Sequence, residues 1–323
     1  MTTKSILTRS IGKLAAAAVV AASTIAGSAA FAKDDIFIIA VTHGQASDPF
    51  WSIVTNGITK AGEDQGITVA YRAPETFDMV QMSQLIDAAV NQEPDGIIVS
   101  NPDPDALGPS IERAVAAGIP VISMNSGISA AVGLGIALHV GQDELPAGRI
   151  VGAKLGEIGA THVLCVIQEV GNVALDQRCQ GVTEGMEGFG TVTILPTSSD
   201  PSEVESRIRA ALMSDDTLDA VMGLSAPTVG EPAVAAVQGL GMQDEVIVAS
   251  YDLSANFLQA IVDGKATFAV DQQPYLQGYL PVTFLAQHAR YGVMPAGNVP
   301  SGPSFVTQDT AQQVIDLSAQ GLR

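Results

Sequence analysis

Ile36-Phe37-Ile38-Ile39-Ala40-Val41 is a short, unbroken apolar run, and Thr42-His43-Gly44-Gln45-Ala46-Ser47-Asp48-Pro49-Phe50-Trp51 follows it directly. A run this short, rich in branched residues and without polar alternation, predicts a strand buried on both faces, as in a parallel sheet. From Phe50 to Gln65, Ile53, Val54, Ile58 and Ala61 share one helical stripe, and Gly66 ends it. The unit is strand, polar tip, helix.

The unit recurs. Strands are expected at 67–71, 96–99, 119–123 and 136–140, with helices from Asp78 and over 105–117. After the Gly-rich stretch Gly127–Gly135 a second series begins, with strands at 162–167, 192–195, 220–224, 246–250 and 267–270. Its helices fall at 143–158, 175–187, 227–240, 255–262 and 275–291. Asp200-Pro201-Ser202-Glu203 opens a further helix with a capping-box pattern. Two successive series of this kind predict an α/β chain with two doubly wound parallel-sheet lobes. The Pro/Gly-rich piece from Pro295 to Pro303 reads as a further crossing between lobes.

Residues 1–32 read as a secretory leader. Lys4, Arg9 and Lys13 precede an Ala-rich apolar run, and Ala30-Phe31-Ala32 supplies the cleavage pattern. Its removal leaves 12 bases against 34 acids, a net charge of −22. So negative a chain is unsuited to nucleic acid or an anionic membrane surface. Cys165 and Cys179 fall in one strand–helix unit. Export permits a disulfide between them, and two buried free thiols is the alternative. His43, His139, His162 and His288 show no ligand spacing near either Cys, so no metal is expected.

In open α/β sheets the ligand crevice lies outside the carboxyl ends of the strands. The tips here carry Asp48 beside Phe50 and Trp51, then Asn101, Asn125-Ser126, Asp176-Gln177-Arg178, Ser225, Asp252 and Gln272. Aromatic faces cover the C–H face of a sugar ring, while Asp, Asn, Gln and Arg satisfy hydroxyls. Asx and Ser at strand ends also serve simply as helix caps and turn formers.

With these residues the chain, from Ile36 to about Val306, resembles periplasmic sugar-binding proteins of the ribose/galactose/inositol type, the substrate receptors of ABC importers. The resemblance implies a type I periplasmic binding protein fold with a three-crossing hinge. One lobe would comprise residues 33–142 plus 272–301 and the other 143–271 plus 302–323. It implies that Asp48 bonds sugar hydroxyls and that Phe50 and Trp51 stack on the ring. It assigns ligand contacts to Asn101, Arg178, Asp252 and Gln272 as well, with Asn125, Ser126 and Ser225 at the variable tips. Ribose-binding members usually carry Asp-Arg in place of Asn125-Ser126 and Asn-Asp in place of Ser225-Ala226, which leaves room for a hexose, deoxysugar, cyclitol or sugar alcohol. A membrane permease as partner, a monomeric state, a periplasmic location and no cofactor follow from the same resemblance. A receptor for a furanosyl signalling molecule, of the autoinducer-2 kind, is the alternative within this fold.

An enzyme is the rival from another class. Gly133-Leu134-Gly135 lacks a third glycine and a P-loop Lys, and no G-x-S-x-G, H-E-x-x-H or C-x-x-C occurs. A hydrolytic carboxylate pair drawn from Asp48, Asp176 and Asp252 is a remote reading. A repressor sharing the two-lobed core would require N-terminal DNA-binding helices, which the sequence does not show.

Overall fold

The computed structural model describes residues 1–2, 33, 35–44, 48–318, 320–321 and 323. The leader therefore lies outside the described residues apart from Met1 and Thr2, and so does Ser47 at the first strand tip.

The first series runs β1 (Phe37–Val41), α1 (Pro49–Gln65), β2 (Thr68–Arg72), α2 (Met79–Val90), β3 (Gly96–Val99) and α3 (Pro104–Ala116). It continues with β4 (Val121–Met124), the short α4 (Ile128–Ala131) and β5 (Leu138–Gly141). The second begins with α5 (Glu144–Glu157), β6 (His162–Ile167), α6 (Val173–Gly185), β7 (Thr191–Pro196), α7 (Pro201–Ser214) and β8 (Ala220–Gly223). It goes on through α8 (Glu231–Leu240), β9 (Ile247–Tyr251), α9 (Ala255–Val262) and β10 (Phe268–Asp271). The chain ends with α10 (Pro274–Tyr291), β11 (Val299–Pro300), β12 (Ser304–Thr307) and α11 (Gln308–Ser318).

Two six-stranded sheets result, ordered β11-β5-β4-β3-β1-β2 and β12-β10-β9-β8-β6-β7. Ile38, Ile39, Ala40 and Val41 of β1 are fully buried, as a strand covered on both faces requires. The Ile and Val side chains each contribute roughly 1.5–3 kcal/mol by leaving water. Both sheets are parallel, as expected, except at one edge, where β12 runs antiparallel to β10. The chain re-enters this sheet from the last crossing beside Asp271, where β10 ends, so β12 runs back along β10 with Ser304 opposite Asp271. Pro295–Pro303 does hold a strand, β11, which pairs with β5.

Local chemistry explains most boundaries. Asp200 caps α7 by accepting from the Ser202 N–H (2.9 Å), with Pro201 at the first position. The reciprocal half of the expected capping box is absent, because Glu203 instead accepts from the Ser198 hydroxyl (2.5 Å). The helix expected over 227–240 opens as a π-turn, Ala226–Gly230, before α8. Helices α5 and α6 approach backbone to backbone: a Cβ on Gly148 would lie 2.4 Å from the Arg178 carbonyl oxygen, and one on Gly181 2.3 Å from that of Leu145. Bare glycines at this seam let the side chains of Glu144 and Arg178 meet.

Cys165 on β6 and Cys179 on α6 form a disulfide across 14 residues, with Cα atoms 5.9 Å apart and both side chains fully buried. A loop of that length contributes about 3 kcal/mol. Reducing the bond is expected to lower the melting temperature by roughly 5–10 °C for a chain of this size. Calorimetry with and without reductant checks this, and an unchanged melt with both thiols shown to be free would contradict it.

Candidate functional site

The carboxyl ends of both sheets face one cleft, the place where open α/β sheets hold their ligands. From the first sheet come His43, Asp48, Phe50, Trp51 and Asn125; from the second come Gln168, Glu169, Asn172, Arg178, Ser225 and Asp252. Gln272, just past β10 at a crossing between the sheets, completes the polar wall.

Asp48 is the N-cap of α1, its Oδ1 accepting from the Phe50 N–H at 2.9 Å. Burial raises its carboxyl above the usual carboxylate range, although the Phe50 bond pulls the other way. Trp51 lies against the backbone of Gly44, where a Cβ would come within 2.2 Å of the indole. Its ring meets His43 edge-on at 4.8 Å and Phe50 at 5.2 Å. Phe50 and Trp51 are 7% and 5% exposed, so each presents only a margin of its ring to the cleft.

Asn125 and Asp252 end β4 and β9, and both adopt left-handed backbone with φ of 62° and 67°. Asn and Asp tolerate that conformation better than most residues. Strained tips of this kind concentrate at functional sites. Here the backbone of each strand end turns its side chain into the cleft.

Arg178 is buried and fully engaged on one side. Its Nε and Nη2 donate to the two oxygens of Glu144 at 2.6 and 2.9 Å, and Nη2 also donates to Gln272 Oε1 at 3.0 Å. The guanidinium stands 4.6 Å from the centre of the Tyr251 ring. Burial works against its charge, but the adjoining Glu144 carboxylate more than offsets this and holds Arg178 above its ordinary value. Gln272 in turn donates to Asp252, and Gln142 Nε2 donates to Glu144 Oε2 at 3.0 Å. Residues from two crossings, Gln142 and Gln272, are thus bonded to the charged centre of the site. The crossings are also tied to one another: Gln277 donates to the Ser301 hydroxyl at 3.0 Å, and the Ser301 N–H donates to the Gly141 carbonyl at 3.0 Å.

Burial pushes Glu169 up to about 7, with Asp48 adding to the effect against the Asn172 amide that donates to it at 2.8 Å. Burial likewise raises Asp252 to about 7. His43 is lowered to about 3, chiefly by burial, so its imidazole is neutral. Its Nε2 lies 3.9 Å from Glu169 Oε2.

Eight of the residues selected from the sequence line the cleft: Asp48, Phe50, Trp51, Asn125, Arg178, Ser225, Asp252 and Gln272. The structure departs from that selection at Asn101 and Ser126, which are buried but do not line it. Asn101 is packed under the following turn, its N–H donating to the Ser126 carbonyl at 3.1 Å and its Cβ 2.6 Å from where a Gly127 Cβ would stand. Glu169, Gln168, Asn172 and His43 were not selected. Gln168 and Glu169 directly follow β6, so the strand-tip rule points to them; the sequence reading placed that tip at Asp176-Gln177-Arg178, which lies inside α6. Among the described residues, no group of three His, Cys, Asp or Glu side chains is arranged to hold a metal ion.

Comparison with known proteins gives the cleft a context. The family model described as "Periplasmic binding protein domain" matches residues 39–292. A xylose/arabinose-binding protein of Sulfolobus acidocaldarius is 27% identical over 295 residues, covering 87% of this chain and 72% of the relative. A ribose import binding protein of Bacillus subtilis is 24% identical, covering 76% and 79%. A crystal structure of a carbohydrate transporter from Acidothermus cellulolyticus, in complex with myo-inositol, superposes with a TM-score of 0.84 at 36% identity. That match covers 90% of this chain and all of the other.

Proposed function

The chain belongs to the periplasmic binding protein domain family, and on that premise we propose that it is the substrate receptor of an ABC importer, taking one monosaccharide or polyol between its lobes. A hexose, pentose, cyclitol or alditol fits the reading. The carrying observation is the cleft itself, in which aromatic margins from one sheet face hydrogen-bonding groups from the other. The myo-inositol held by the Acidothermus relative and the import role in the name of the Bacillus relative support it. They favour import over reception of a furanosyl signal, and a binding protein over an enzyme.

Lobes of residues 33–142 plus 272–301 and 143–271 plus 302–323 would rotate about the three crossings. Two contacts between them support closure over the ligand: the Val173 N–H donates to the Pro102 carbonyl at 2.8 Å, and His43 faces Glu169. A ligand touching both lobes binds the closed form better and shifts the population toward it. The closed monomer would then present its surface to a membrane permease. A leader cleaved after Ala32 and a periplasmic location agree with the family.

A thermal-shift screen of refolded, ligand-free protein against ribose, xylose, arabinose, glucose, myo-inositol and the alditols tests this. A true ligand at a hundred times its Kd adds about 2.7 kcal/mol of stability, which is a shift of several degrees. If no polyhydroxylated compound moves the melt, the proposal falls.

A further inference from the structure

We infer that the cleft is built for an aminated polyol, an amino sugar or aminocyclitol carrying one ammonium group, rather than for a neutral sugar. This deepens the receptor reading and rests on it. Three carboxylates, Asp48, Glu169 and Asp252, line the cleft, and Arg178 is the only Lys or Arg among its lining residues. The charge of Arg178 is matched by Glu144, which grips it through both oxygens from outside the cleft wall. Among the described residues none of the three lining carboxylates forms an ion pair with a Lys or Arg, although the charge of Arg178 still reaches Glu169 and Asp252. The histidine nearest to Glu169 is neutral and stands beyond hydrogen-bond distance at 3.9 Å.

A second, independent feature points the same way. Gln168 lines the same cleft, is 9% exposed, and its Oε1 has no hydrogen-bond partner among the described residues. Buried acceptors without donors are costly, and a ligand that supplies donors recovers that cost. A hydroxyl brings one donor together with its own lone pairs, whereas an ammonium brings three donors and no acceptor. The side of the cleft bearing Gln168, Glu169 and Asp48 is therefore better matched by an ammonium. The raised values of Glu169 and Asp252 agree with carboxylates that burial leaves short of positive charge.

Titration calorimetry at pH 7.5 on matched pairs, glucosamine against glucose and 1-amino-1-deoxy-scyllo-inositol against scyllo-inositol, tests the inference. In at least one pair the aminated member is expected to bind tenfold or more tightly than its neutral counterpart. Glu169→Gln, shown to be folded by its melt, is expected to reduce that ratio at least tenfold. Neutral members that bind as tightly as the aminated ones, or a ratio untouched by Glu169→Gln, would overturn the inference and leave the receptor standing. Should neither these pairs nor any compound of the wider screen bind, the receptor reading fails and takes this inference with it.

Discussion

Replacing Arg178 with alanine is expected to destabilise the protein by roughly 3–5 kcal/mol, the cost of leaving a buried partner charge uncompensated, and to weaken ligand binding more than tenfold. Glu144 is 1% exposed and takes two hydrogen bonds from this guanidinium, so its removal strands a carboxylate in the interior. Gln272 loses a donor in the same step, and Gln272 is what braces Asp252. Lysine should not rescue the site, because an ammonium cannot reproduce the planar fork that holds Glu144 and Gln272 together. The double variant Glu144→Leu/Arg178→Met separates the two effects. Removing both charges should restore most of the stability, while binding stays lost because the brace is gone. Urea unfolding and calorimetry on both proteins check this. A folded Arg178→Ala with unchanged affinity would remove Arg178 from the site.

The behaviour of Arg178 also shows what a sequence can and cannot display. Buried strands such as β1 and helix starts such as Asp200-Pro201 are written locally, in apolar runs and capping residues, so they could be read directly. The strand-tip rule then points to Asp48, Asn125, Ser225 and Asp252, which line the cleft, because each directly follows or closely trails a strand or caps the next helix. Glu144 escaped it. In sequence it is an ordinary acidic residue in the first turn of a helix, and its role arises only when the glycine seam of α5 and α6 sets it against Arg178. Asn101 differs in the opposite sense. It sits at a tip, yet the left-handed turn at Gly127 (φ 98°) packs against it and it does not line the cleft. The antiparallel β12 depended on a chain path between the sheets, which no local pattern encodes.

Asp252→Asn, by contrast, should separate binding from stability, with opposite signs. A hydrogen bond to a charged group is worth about 1.5–3 kcal/mol, so loss of the carboxylate should weaken binding roughly 10- to 150-fold. The apo protein should nevertheless become more stable at pH 8. Asp252 is raised to about 7 by burial in the folded state, well above the value near 3.9 of an unfolded Asp. The folded form therefore binds that proton more tightly, and stability is lost as pH climbs from about 4 through about 7. Asparagine never ionises, so the variant escapes this loss: no gain below about pH 4, and a gain of up to about 4 kcal/mol above pH 7. The substitution fits the backbone, since Asn also accepts the left-handed φ of 67°, and its carbonyl can still accept from Gln272. Melts of both proteins at pH 4 and pH 8, paired with calorimetry at pH 8, decide it. A variant that binds as before, or one that loses stability at pH 8, would show that Asp252 is a structural carboxylate. The expected pattern would show that this strand end trades stability for a charge aimed at the ligand, as buried carboxylates at binding sites do.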